Sequence, residues 1–168
     1  MTKWRTDWKG LRAGAALSII TICMACTQSA PDQYGSASLP PDAVIGAGDP
    51  LRSSVLSTAA AFGSPGRLTA AAAARAIAQM EFLAASLPQS PTLRFSPPTL
   101  GPQLDIARQE WRGALGIAPG APAQAVINGL YGAGRALDAG QNDVALAMLS
   151  RVPFQRGGPA TLAQLSAL

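Results

Sequence analysis

Beyond residue 49, apolar residues recur at three- and four-residue spacing in runs cut short by Pro and Gly, so the pattern predicts short amphipathic helices. Asp49-Pro50 pairs an N-cap with the proline favoured at the first helical position and opens a helix over Leu51 to Phe62. Gly63-Ser-Pro-Gly66 is a turn. A second helix is expected from Leu68 to Leu87, with Ala73, Ile77, Met80, Ala84 and Leu87 on one face and Arg75, Gln79 and Ser86 opposite. Phe82 falls on the polar side, either as a single exposed aromatic or as a contact to another layer. Prolines 88, 91, 97, 98 and 102 make the next stretch an irregular crossing, with Leu93, Phe95 and Leu100 available to clip it to the body.

The third helix, Pro102 to Leu115, carries Leu104, Ala107, Trp111 and Leu115 on one stripe. Asp105 can meet Arg108 or Gln109 on its outer face. Gly116 is placed to act as a left-handed C-terminal cap. A fourth helix starts at Pro122, buries Val126, Leu130, Ala133 and Leu137, and ends at Gly140. A fifth, Asn142 to Val152, is expected to bury Val144, Ala147, Met148 and Val152 and to stop at Pro153. After Gly157-Gly158-Pro159, Leu162, Leu165 and Leu168 form a last turn or two. The fold class that follows is all-α: a small irregular bundle of about five helices over residues 50–168.

The helices joined by Asp138-Ala-Gly140-Gln resemble an αα-hairpin of the tetratricopeptide kind. No second copy follows at a period near 34 residues, which argues against a solenoid array. Inside the first of these helices, Gly129-Leu-Tyr131-Gly132-Ala-Gly134 is the most site-like stretch. Leu137 stands where a dinucleotide-binding turn would need its third glycine, and no strand pattern precedes it. Three glycines in one helix cost about 2–3 kcal/mol relative to alanine. Either another helix approaches closely there, the Ala70–Ala74 tract being a candidate, or the glycines mark a kink that exposes Tyr131.

The amino terminus has a different pattern. Lys3, Arg5, Lys9 and Arg12 precede an apolar run from Ala13 to Ala25 that ends on Cys26. The run is about fourteen residues long, short of the roughly twenty that span a bilayer as a helix, and its layout is that of a bacterial export signal. Cys23-Met24-Ala25-Cys26 resembles the lipobox of bacterial lipoproteins, although Cys23 stands where that family usually has Leu and Met24 where Ala or Ser is commoner. The resemblance implies cleavage after Ala25, a diacylglyceryl group on Cys26, and a domain division of signal peptide 1–25, anchor and linker 26–49, and helical domain 50–168. Thr27 follows the cysteine where an inner-membrane retention signal would carry Asp, which directs the expectation to the periplasmic face of the outer membrane. An inner-membrane anchor or a secreted form are the alternatives. The linker, rich in Pro, Gly and Ser, is expected to be flexible and to span on the order of 25 Å. Cys23 and Cys26 also form a C-x-x-C, but neither a strand pattern nor further ligands accompany it.

Charge narrows the function classes. The formal net charge is +4, yet four cations and Asp7 lie before Cys26, so the rest of the chain carries nine Arg against eight carboxylates, a balance of +1. The scattered arginines leave no footprint for a nucleic-acid partner. Without any histidine there is no imidazole base, Ser-His-Asp triad or His-ligated zinc, and without lysine beyond Lys9 there is no Schiff base in a processed chain. Glu81 and Glu110 are the pair from which a carboxylate enzyme would be built, and each reads as a solvated flank residue. No catalytic residue, metal site or cofactor is expected. The expected function is that of a non-catalytic envelope lipoprotein, attached to the membrane through its lipid and meeting another envelope protein through its helices. A carrier of a small apolar ligand is the alternative.

Overall fold

A computed structural model of the protein describes residues 36–43, 48–63, 66, 68–91 and 97–168. Ala25, Cys26, Tyr34, Val44, Ile45, Leu93 and Phe95 lie outside these residues. The described part is a helical bundle with six α-helices: α1 (Pro50–Phe62), α2 (Ala70–Ser86), α3 (Leu100–Leu115), α4 (Ala123–Asp138), α5 (Asn142–Leu149) and α6 (Gly158–Ser166). Short 3₁₀ turns occupy Pro41–Ala43 and Leu87–Gln89. One isolated antiparallel bridge joins Ile117 to Phe154. Among the described residues no helix is long and apolar enough to cross a membrane.

The bundle is organised around α2, which packs on α4 most extensively and also on α1, α3 and α6. Ala73, Ala74, Ala78, Ala84 and Ala85 are fully buried, and Gln79 and Phe82 are buried as well. The expected one-sided helix is therefore corrected to a central one: side chains this small let neighbouring backbones approach from several directions. Phe82 makes the contact to another layer rather than standing exposed.

Helix ends follow the local chemistry. The Asp49 carboxylate accepts from the Leu51 amide at 3.0 Å, and Thr69 Oγ1 accepts from the Ala72 amide at 3.1 Å. Gly116 has φ +65° and Gly140 φ +70°, the left-handed conformation that glycine adopts without cost to a Cβ. Beyond each, an amide reaches back across six residues: Ile117 donates to the Arg112 carbonyl and Gln141 to the Ala136 carbonyl, both at 2.8 Å. Helix α3 begins at Leu100, two residues before the expected Pro102, because a proline is tolerated within the first turn where its missing N–H has no helical partner.

The buried stripe of α5 differs from the expectation. Ala145 and Leu149 are buried, Val144 is exposed, and Val152 lies beyond the helix end at 94 % exposure. The turn at Gly140 sets the rotation of α5 against α4, and the chain leaves the helix before Val152, so Phe154 enters the core in its place. The last segment is a full helix that buries Leu165, half-buries Leu162 and leaves Leu168 exposed.

Part of the expected linker is docked. The Ser38 amide donates to Gln124 Oε1 at 2.8 Å, and Gln124 Nε2 donates to the Ser38 carbonyl at 3.1 Å. Asp42 pairs with Arg135 at 3.4 Å, while Ala37, Leu39 and Ala43 pack against the core.

Candidate functional site

Helix α2 carries Glu81, and α3 presents Arg108, Trp111 and Arg112 at spacings of three and four residues, which place all three on one face. That face meets α2, and Glu81 becomes the most completely enclosed charge of the described residues, at 0 % exposure. Its Oε1 accepts from Arg112 Nε at 2.7 Å and Trp111 Nε1 at 2.8 Å. Its Oε2 accepts from Arg112 Nη2 at 2.8 Å and from Arg108 Nε at 3.1 Å, with Arg108 Nη2 also at 3.1 Å. Arg112 then donates through Nη1 to the Pro119 carbonyl at 2.7 Å, tying the loop after α3 to the cluster.

The electrostatics follow from this arrangement. Burial pushes the Glu81 carboxyl up, but the Arg112 hydrogen bond, the charges of Arg108 and Arg112 and the Trp111 indole together outweigh it and hold the group below its ordinary 4.5. Glu81 is ionised at neutral pH, and its oxygens are occupied by donors. Such a carboxylate has no proton to give and no free lone pair facing a substrate. Glu110, its expected catalytic partner, is exposed on the outer side of α3. The two carboxylates are not brought together across a cleft, and the reading of Glu81 as a solvated flank residue is corrected to a buried ionic hub.

A cleft of about 350 Å³ opens beside the cluster, lined by Asp105, Arg108, Gln109, Arg112, Ile117 and Pro119 among others. Arg108 itself is buried, not on the outer face where the spacing put it. The signal for this hub was present in the chain: charged residues are only 13 % of it, yet two arginines flank a tryptophan on an otherwise apolar stripe. What the chain did not display was which carboxylate they would meet.

The glycine-rich stretch lies at three different contacts of α4. A Cβ added at Gly129 would come within 2.7 Å of the Phe154 ring, one at Gly132 within 2.7 Å of Met148 Sδ, and one at Gly134 within 3.1 Å of the Ala71 carbonyl oxygen in α2. Tyr131 is buried, so the alternative in which a kink exposes it is overturned. Its hydroxyl faces the Gln79 side chain without a well-formed hydrogen bond; burial pushes its pKa up, and Gln79 offsets part of that rise. Both residues border a shallower cleft of about 280 Å³ with Ser57, Arg75 and Asp42. Among the described residues no group of three or more Cys, Asp or Glu is placed to hold a metal ion.

Compared with protein-family models, with curated proteins and with solved structures, the chain matches none.

Proposed function

We propose that the protein is a lipid-anchored, non-catalytic component of a bacterial cell envelope, with its helical body facing the periplasm as an interaction or structural module. The observation that carries this reading is the apolar run abutting Ala25-Cys26 behind four cations, a layout that resembles a lipoprotein signal. Cys26 takes the lipid, the leader is removed after Ala25, and Thr27 favours the outer membrane. The body supports the non-catalytic half of the reading: Glu81 is tied to two guanidiniums and an indole, which leaves it no role in proton transfer. The apolar-carrier alternative has less behind it, since the two clefts bordering Glu81's partners and Tyr131 carry guanidinium, carboxylate and amide groups.

Growing the producing bacterium with radiolabelled palmitate tests the anchor. The wild-type chain incorporates label and Cys26→Ala does not. An unlabelled wild type, or equal labelling of the two, overturns the reading.

A further inference from the structure

Helix α1 is inside out for a bundle helix. At 100° per residue, Val55, Leu56, Ala59, Ala60 and Phe62 fall within an arc of about 160°, and that arc faces solvent: Val55 is 46 %, Leu56 61 % and Phe62 37 % exposed. The inward side has Leu51 in the first turn and half-buried Ala61 near the end, and between them it carries hydroxyls. Ser54 is buried with its hydroxyl unpartnered, and Thr58 spends its hydroxyl on the Ser54 carbonyl at 2.8 Å. A helix stabilised only by water and its neighbours would turn the other way. The exposed arc contains no carboxylate, and its one charge is Arg52, in the first turn.

The chain itself indicates what covers this face. Ser36, the first described residue of the docked strap, lines the same cleft as Leu51 in the first turn of α1. Nine residues lie between Cys26 and Ser36, and whatever their conformation the ten steps from one to the other reach at most about 35 Å. That is no more than the diameter of a domain of this size, whose radius of gyration is about 14 Å. A tether this short, joined at Ser36 beside the first turn of α1, holds that side of the body against the leaflet at high effective concentration, so a modest apolar face suffices for contact.

We infer that the outward face of α1 is a lipid-contacting surface: Val55, Leu56 and Phe62 enter the headgroup–acyl boundary of the leaflet in which the Cys26 lipid is embedded, and the Arg52 guanidinium meets a lipid phosphate. This inference rests on the lipid-anchor reading above. The bond from the Gly66 amide to the Leu168 carbonyl at 3.5 Å sets a further exposed apolar residue at the turn that follows Phe62.

The test uses the full, processed chain, whose Cys26 is blocked by lipid and whose Cys23 leaves with the leader. A polarity-sensitive fluorophore is attached at Ala59→Cys or, as a control on an exposed position elsewhere, at Arg151→Cys. On vesicles of phosphatidylethanolamine and phosphatidylglycerol, the label at 59 shifts to the blue and is quenched by lipid-borne quencher, while the label at 151 is not. Leu56→Asp lowers the bilayer-contacting population at 59 by about tenfold or more, because an unpaired charge then replaces a leucine leaving water. Slowed amide exchange across α1 on vesicles, in the unsubstituted chain, supports the same conclusion without any substitution. A label at 59 that stays in water while Cys26→Ser abolishes vesicle flotation overturns the lipid face and leaves the anchor standing. Equal flotation of wild type and Cys26→Ser overturns the anchor and this inference with it. Concentration-dependent shielding of position 59 without vesicles assigns the face to a second copy and overturns contact with lipid.

Discussion

Glu81 is the residue on which the ionic interior depends. Two guanidiniums and an indole converge on it, so replacing it by glutamine leaves Arg108 and Arg112 buried against a neutral amide with too few acceptors. Breaking a buried pair from one side costs about 3–5 kcal/mol, and Glu81→Gln is expected to lower the urea midpoint accordingly without a large change in slope. A second residue-scale contrast lies in α4. Gly132→Ala meets only the flexible end of Met148, so the gain in helix propensity of up to about 1 kcal/mol leaves the variant neutral or slightly stabilised. Gly129→Ala drives a methyl into the buried Phe154 ring and is expected to lose about 1–3 kcal/mol through overpacking. Thermal unfolding of the two variants side by side checks the order.

At the scale of elements, α2 is held on most sides, and α1 is held by one face that combines Leu51 with hydroxyls. The difference lies in composition: α2 offers alanines to every neighbour, whereas α1 turns Leu51 to the core but keeps Val55, Leu56 and Phe62 on the solvent side. The strap at 36–43 is held by a side chain imitating a strand partner, since one amide group of Gln124 both donates to and accepts from Ser38. Gln124→Ala removes these two bonds and a third, from the Ser38 hydroxyl to Gln124 Oε1 at 3.2 Å. Because they are exposed, the expected loss in global stability is at most about 1–2 kcal/mol. The local effect is larger: limited proteolysis is expected to cut within 36–43 faster in Gln124→Ala than in the wild type, and equal rates would count against the clamp.

For the whole molecule, the depressed Glu81 pKa links stability to pH. A carboxyl whose folded value lies below its unfolded value near 4.5 contributes stability that is fully present above that unfolded value. The contribution is lost as pH falls from 4.5 through the folded value. The wild type is therefore expected to lose stability through this acid window, while Glu81→Gln, already destabilised, shows a shallower decline. Chemical unfolding at a series of pH values between neutrality and strong acid measures the difference.

The linear pattern alone established the helical class and the positions of the caps at Asp49, Gly116 and Gly140. All of these are decided by residues a few positions apart: a carboxylate reaching a nearby amide, a left-handed glycine, an apolar residue recurring every three or four positions. Only the tertiary structure decided that Glu81 and Arg108 turn inward, that Tyr131 is enclosed, that α5 buries Ala145 and Leu149 instead of Val144, and that α1 turns its apolar side outward. Periodicity tells which residues share a face, but not which face finds a neighbour or whether a charge on it finds an opposite charge. Glu81 is 27 residues from Arg108 and 31 from Arg112. Enclosing that carboxylate is tolerable only once α2 and α3 are packed and both guanidiniums have arrived, a condition set by contacts distant in the chain.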